Sequence, residues 1–211
     1  MHLSKPINWY KMDRLRLKKA LPLLLVVLAG LLSFRSSPGT LVRISTSMGE
    51  VVVELYPDLA PVTANNFLEH VKKGTYTNSL FYRVVRMDNQ PDNPVKIEVI
   101  QGGLFEDELV EAVPSIPHES TDVTGILHTD GVISMARMAP GTASTEFFIC
   151  IGDQPSLDRG GGRNPDGEGF AAFGKVVRGM EVVRAIQALP DEDQYLKEKV
   201  RILEMTVLPE L

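Results

Sequence analysis

From Leu41 onward, apolar and polar residues alternate in short runs separated by turn-forming residues. Leu41–Thr46 and Glu50–Tyr56 follow a period of two, and Ser47-Met48-Gly49 between them closes a half-buried hairpin. Pro61 then opens a helix, where its missing N–H costs nothing. Ala64, Phe67, Leu68 and Val71 fall at i, i+3, i+4 and i+7, which makes one buried stripe, and Gly74 supplies the stop. Further strand-like runs are Leu80–Arg86, Lys96–Gln101, Val132–Ala136, Glu146–Ile151, Phe170–Val177 and Val200–Val207. A second helix over Met180–Leu189 repeats the helical spacing with Val182, Ala185, Ile186 and Leu189, and Pro190 ends it. Eight short strands and two helices predict a mainly β fold: a closed eight-stranded antiparallel β-barrel capped by two α-helices, an arrangement without exposed strand edges.

The chain before Leu41 reads differently. Lys11, Arg14, Arg16, Lys18 and Lys19 lead into the apolar run Ala20–Leu32. A basic flank before a short apolar stretch is the layout of an export signal. The run falls short of the ~20 residues that comfortably span a bilayer. Residues 1–37 are therefore expected to be an export signal or membrane anchor with a polar linker, and 38–211 the folded domain. Two readings stay open: a cleaved signal, or an uncleaved anchor over residues 20–34. Either predicts an exported, periplasmic protein whose N-terminal segment contacts the membrane or the export machinery.

The 211 residues carry a formal charge of −5, but unevenly: residues 1–40 hold seven Lys or Arg against Asp13 alone. The rest is acidic, with 15 basic and 26 acidic residues. That argues against nucleic acid as a partner, because such binding rests on Lys and Arg neutralising phosphates. A single cysteine, Cys150, excludes an intrachain disulfide and any CxxC metal site, and its apolar neighbours suggest an inert core residue.

Other candidate chemistry is weak. His118-Glu119 is not followed by a second histidine at position 122, so the zinc-protease helix is absent. His128 is expected to make a structural hydrogen bond, and His70 to lie near a helix C-terminus where positive charge is tolerated. The glycine-rich loop Arg159–Gly169 has neither the alternating carboxylates of a calcium loop nor the Gly-Lys-Ser/Thr of a phosphate loop. Glu106–Glu108 and Asp191–Asp193 are read as solvated faces.

Five ordered motifs carry a resemblance: Phe81-Tyr82-Arg83-Val84-Val85, Gln101-Gly102-Gly103, Ile133-Ser134-Met135-Ala136, Glu146-Phe147-Phe148-Ile149-Cys150 and Phe173-Gly174-Lys175-Val176. In order and spacing, with Asn65-Asn66-Phe67 on the first helix, they resemble the cyclophilin-type peptidyl-prolyl isomerases over Leu41–Leu208. The segment before Gln-Gly-Gly and the Asn164–Val176 stretch look like a bacterial branch. The resemblance implies proline isomerase activity on proline-containing polypeptides, no cofactor, no metal, and a monomer.

An X–Pro bond turns slowly because amide resonance imposes a barrier of ~18–20 kcal/mol, so uncatalysed exchange takes ~10–100 s. No bond is made or broken. The catalyst needs an apolar slot for the proline ring and a donor that disfavours resonance in the twisted state. By the resemblance Arg83 is that donor. Phe148 lines the proline pocket, with Met135 beside it, Leu157 at the rim, and Val99 and Phe170 as walls. Gln101 contacts both arginine and substrate, while Ala136 and Arg137 offer backbone along the peptide.

Departures from the family pattern are local. Its Phe-Met before x-Gln-Gly-Gly is Glu98-Val99 here, its Trp-Leu-Asp is Ser156-Leu157-Asp158, and its histidine before Phe-Gly-Lys is Phe170. Glu146 replaces a glutamine, and is expected either to pair with Arg83 or to compete with substrate for it. Glu98, Glu146 and Ser156 also support a second reading, a binding module that holds proline segments without accelerating them.

Overall fold

The computed structural model describes residues 39–209. The expected export segment, 1–37, lies outside the described residues. The strands are β1 (Thr40–Thr46), β2 (Gly49–Leu55), β3 (Leu80–Val85), β4 (Val99–Gly103), β5 (Val132–Met135), β6 (Phe147–Cys150), β7 (Ala171–Arg178), β8 (Asp191–Glu192) and β9 (Tyr195–Val207). The hydrogen-bonded order β1-β2-β7-β5-β6-β4-β3-β9 returns to β1 through a β1–β9 pairing, so eight antiparallel strands close a barrel. The two-residue β8 pairs only with the start of β9 and makes a small hairpin there.

Two helices of any length accompany the barrel, α1 (Pro61–Lys72) and α4 (Met180–Gln187). The short α2 (Asp107–Glu111) and α3 (Thr121–Thr124) have no hydrophobic period and escaped the sequence reading. Proline leads α1, but no side chain of its own caps it. Glu119 does so from afar, its carboxylate accepting from the Val62 and Thr63 amides at 3.1 and 2.7 Å and from the Thr63 hydroxyl at 2.7 Å. Ala64, Phe67, Leu68 and Val71 are buried as the spacing predicts. In α4 the buried stripe is Val183, Ile186 and Gln187, one position round from the expected Val182 and Ala185.

Side chains on successive strand residues point to opposite faces, and both faces are apolar. Val84, Ile100, Met135, Phe147 and Ile149 point into the barrel, where Phe67 of α1 meets Tyr76, Phe147 and Phe173 at ring separations of 5.1–5.4 Å. Aromatic pairs at such distances add ~0.5–1.5 kcal/mol each beyond burial. Val85, Val99, Phe148 and Cys150 point outward and form a second cluster with Leu157 and Ile97. This outer cluster is itself buried, covered by Leu157 and the neighbouring loops rather than by the barrel interior.

Candidate active site

The outer cluster is the floor of a groove of about 720 Å³, walled by Arg83, Gln101, Phe148, Leu157 and Phe170 among others. A break in strand register delivers Arg83 to it. Phe81 pairs with Gly102 and Arg83 with Gln101, so Tyr82 is an extra residue in β3. Strict alternation would send Arg83 inward with Phe81; the bulge turns Tyr82 and Arg83 to the same outer face.

The guanidinium is held from two sides. Arg83 Nη1 donates to Gln101 Oε1 at 2.8 Å, while Nε and Nη2 donate to Gln194 Oε1 at 3.1 and 2.5 Å. These bonds use three of the five N–H groups of an arginine, leaving one on each terminal nitrogen. Burial pulls the Arg83 pKa below the ordinary arginine value, opposed by Tyr195 and Tyr82. It remains a cation at neutral pH.

Behind Gln101 lies a chain of polar groups. Gln101 Nε2 donates to the Tyr82 hydroxyl at 2.7 Å, and that hydroxyl donates to Glu146 Oε2 at 2.5 Å. The other Glu146 oxygen accepts the Leu104 amide at 2.6 Å. Burial raises the Glu146 pKa despite the hydrogen bonds from Tyr82 and the Leu104 amide. Burial, then the charge of Glu146, pushes the Tyr82 phenol far above its usual range.

Such a site sets a fixed cation, Arg83, beside an apolar slot. Among the described residues no cluster of His, Cys, Asp and Glu suits a metal ion. It has the parts needed to hold a proline ring and to donate two hydrogens toward a twisted amide. Comparison with known proteins decides the family. Residues 41–207 match the family model described as cyclophilin type peptidyl-prolyl cis-trans isomerase/CLD. This chain belongs to the cyclophilin-type peptidyl-prolyl isomerases. A peptidyl-prolyl cis-trans isomerase of Acinetobacter baylyi is 33% identical over 177 residues, 83% of this chain and 87% of the relative. The Escherichia coli peptidyl-prolyl cis-trans isomerase B is 33% identical over 150 residues, 71% of this chain and 85% of that protein. A crystal structure of a Cryptosporidium parvum cyclophilin shares the fold, with a TM-score of 0.64 at 22% identity, covering 81% of this chain and 99% of the other. The enzyme is thus a peptidyl-prolyl cis-trans isomerase, and proline-containing chains are its substrates.

The cyclophilin groove gathers most, though not all, of the residues singled out from the sequence. Val99, Gln101, Ala136, Arg137, Phe148, Leu157 and Phe170 line it with Arg83. Met135 does not reach it. That side chain is fully buried inside the barrel, because it points opposite to its neighbour Ala136 on the pleat. Glu146 neither pairs with Arg83 nor faces this groove; it lies in an adjoining pocket, turned toward Tyr82 and the Leu104 amide. The Arg137 guanidinium is tied down, donating to Asp166 and to the Gly169 carbonyl and lying 5.3 Å from the Phe170 ring centre. It holds the Asp166 carboxyl down to about 2 and clamps the glycine-rich loop onto the barrel.

Other residues of the site were not singled out from the sequence, although Tyr82 lies within the arginine motif. Tyr82, Phe105, Arg163 and Tyr195 line the groove. Arg163 donates to Gln90 Oε1 at 3.0 Å and to the Val95 carbonyl at 2.7 Å, tying the glycine-rich loop to the segment before β4. Asp191 is no solvated acid. Its side chain is 6% exposed, paired with Arg86 and accepting from Asn89 Nδ2 at 3.0 Å. His70 lies in the last turn of α1, as expected, but it is buried there, and burial lowers its pKa.

His128 stands between Asp158 and Ser134, its Nδ1 2.7 Å from Asp158 Oδ1 and its Nε2 2.9 Å from Ser134 Oγ. The order resembles a hydrolytic triad. Ser134 is wholly buried, however, and the imidazole stacks on the Phe148 ring at 6.0 Å. The three residues brace the pocket's aromatic wall. Cys150 is fully buried, and burial pushes its thiol pKa well up, consistent with an inert core residue.

Proposed function

We propose that this cyclophilin accelerates X–Pro rotation by electrostatic donation from Arg83 over the apolar outer cluster. The reading rests on one observation: Arg83, with two N–H groups left over from its bonds to Gln101 and Gln194, lines the same groove as Phe148. The proline ring seats against Phe148, Val99 and Leu157. As the amide twists, its nitrogen lone pair localises and accepts from the guanidinium, an interaction stronger in the twisted state than in the planar one. Losing one preorganised donor of this sort costs ~2.7–4 kcal/mol, or ~10²–10³ in rate. A proline-peptide exchange assay on the wild type and Arg83→Ala tests the assignment. A fall of that size is expected, and equal rates would remove Arg83 from the role.

The same reading extends to place. The basic flank and apolar run of residues 11–32 support export, with periplasmic work on the proline-limited folding of exported proteins, the chain acting as a monomer. Fractionation of the full-length protein, with protease added to intact and to permeabilised cells, checks the location. Protection from protease only while the inner membrane is intact would contradict it. Gel filtration of the purified protein checks the monomer.

A further inference from the structure

Strands β8 and β9 are joined by a loop of two residues: Glu192 pairs with Tyr195, leaving Asp193 and Gln194 between them. Both central residues have positive φ, 50° and 73°. That combination twists a hairpin correctly, but it is normally filled by Asn-Gly or Asp-Gly. Here a glutamine occupies the position where glycine is most at ease. Neighbours hold it there through every polar atom it owns.

The Gln194 amide N–H donates to Asp191 Oδ2 at 3.1 Å, and its carbonyl accepts the Val84 amide at 2.8 Å. Side-chain Nε2 donates to the Asn89 carbonyl at 3.0 Å. A carbonyl only accepts, so the NH₂ end must face Asn89 and Oε1 must face Arg83. Oε1 takes both the Nε and Nη2 hydrogens of that guanidinium. The support is itself braced. Asp191 receives Arg86 and Asn89 Nδ2, while Asn89 Oδ1 accepts the Arg86 amide at 2.7 Å. The segment between β3 and β4 therefore backs the hairpin that backs the arginine.

A carboxylate at this position would hold Arg83 equally well, but would offset its charge where charge is the working property. An amide fixes the plane of the guanidinium and leaves the cation whole. We infer that Gln194 is a positioning residue for Arg83, held in a left-handed turn by Asp191 and Asn89 so that the two free N–H groups aim into the proline groove before substrate arrives. The inference rests on Arg83 being the electrostatic catalyst, as proposed above.

The test is Gln194→Met, which keeps side-chain length and removes the acceptor, measured alone and in the Arg83→Ala background. In the full-length protein, kcat for a proline peptide should fall about tenfold, with peptide affinity unchanged within twofold. In Arg83→Ala the same substitution should change kcat by less than twofold. A tenfold loss in both backgrounds, or in neither, overturns the inference. A second measurement needs no substitution: hydrogen exchange at Arg83 Nε in the wild type, expected at least tenfold slower than at the exposed Arg201. Equal exchange at the two also overturns it. Should Arg83→Ala keep full activity, the catalytic reading fails by itself, while the exchange result still decides whether Gln194 holds the guanidinium.

Discussion

The Tyr82 hydroxyl is a relay between two side chains, accepting from Gln101 Nε2 at 2.7 Å and donating to Glu146 at 2.5 Å. Its orientation is forced, because Gln101 must turn Oε1 to Arg83 and so presents its NH₂ to Tyr82. The phenol thus sets the tilt of the glutamine that steadies the Arg83 guanidinium. Removing the hydroxyl leaves Gln101 free to rotate and a buried carboxylate short of a donor.

Tyr82→Phe is therefore expected to lower kcat/KM about five- to tenfold, the kinetic equivalent of one net hydrogen bond. Stability should fall by ~1–3 kcal/mol for the unsatisfied Glu146. Steady-state kinetics and urea unfolding on one preparation check both. An unchanged kcat/KM would detach the relay from catalysis.

Arg83→Lys keeps the charge but not the fork. One ammonium cannot satisfy both Gln101 and Gln194 and still present two hydrogens in the plane of a twisting amide. Activity should stay ~10²–10³-fold below wild type, near that of Arg83→Ala. Recovery of most of the rate by lysine would mean that charge alone, without directed donation, lowers the barrier.

Much of this site was legible because pattern and chemistry agree. Alternation marked the first hairpin and short apolar runs between turn residues marked the other barrel strands, though β9 begins at Tyr195 rather than at the expected Val200; the motif around Arg83 and Phe148 named the two residues that share the groove. Periodicity failed where both faces of a strand are apolar. Met135 and Phe148 look equivalent in the sequence, yet one is barrel core and the other groove wall. The bulge at Tyr82 also leaves no trace, since no glycine marks it. Gln194 was hidden for a related reason. Its turn lacks the usual Asn-Gly, and the run Asp191–Asp193 looks like solvated charge until Arg86 is seen to fold back onto it.

His70 gives a pH dependence whose sign follows from burial. Desolvation, then Lys73, lower its folded pKa from the ordinary 6.5, with Glu69 opposing. Between that lowered value and 6.5 the unfolded chain binds more protons than the folded one, so stability rises with pH across the window. Unfolding free energy should be smaller at about pH 5 than at neutrality, and His70→Gln should remove part of the difference. Identical pH slopes in the two proteins would exclude His70 as a source.

Gly103 has a φ of 149°, and a Cβ built there would lie 2.3 Å from Glu146 Oε1 and 2.5 Å from Oε2. The second glycine of Gln-Gly-Gly therefore makes room for the carboxylate that receives Tyr82 and the Leu104 amide. Gly103→Ala adds a clash to an unfavourable backbone angle, and a loss of ~2–4 kcal/mol is expected. The two costs separate in a double-mutant cycle with Glu146→Ala. Without the carboxylate the clash vanishes and only the backbone cost, ~1–3 kcal/mol, should remain. Full additivity would mean that Glu146 moves aside freely, and the relay from it through Tyr82 to Arg83 would then lack a fixed end.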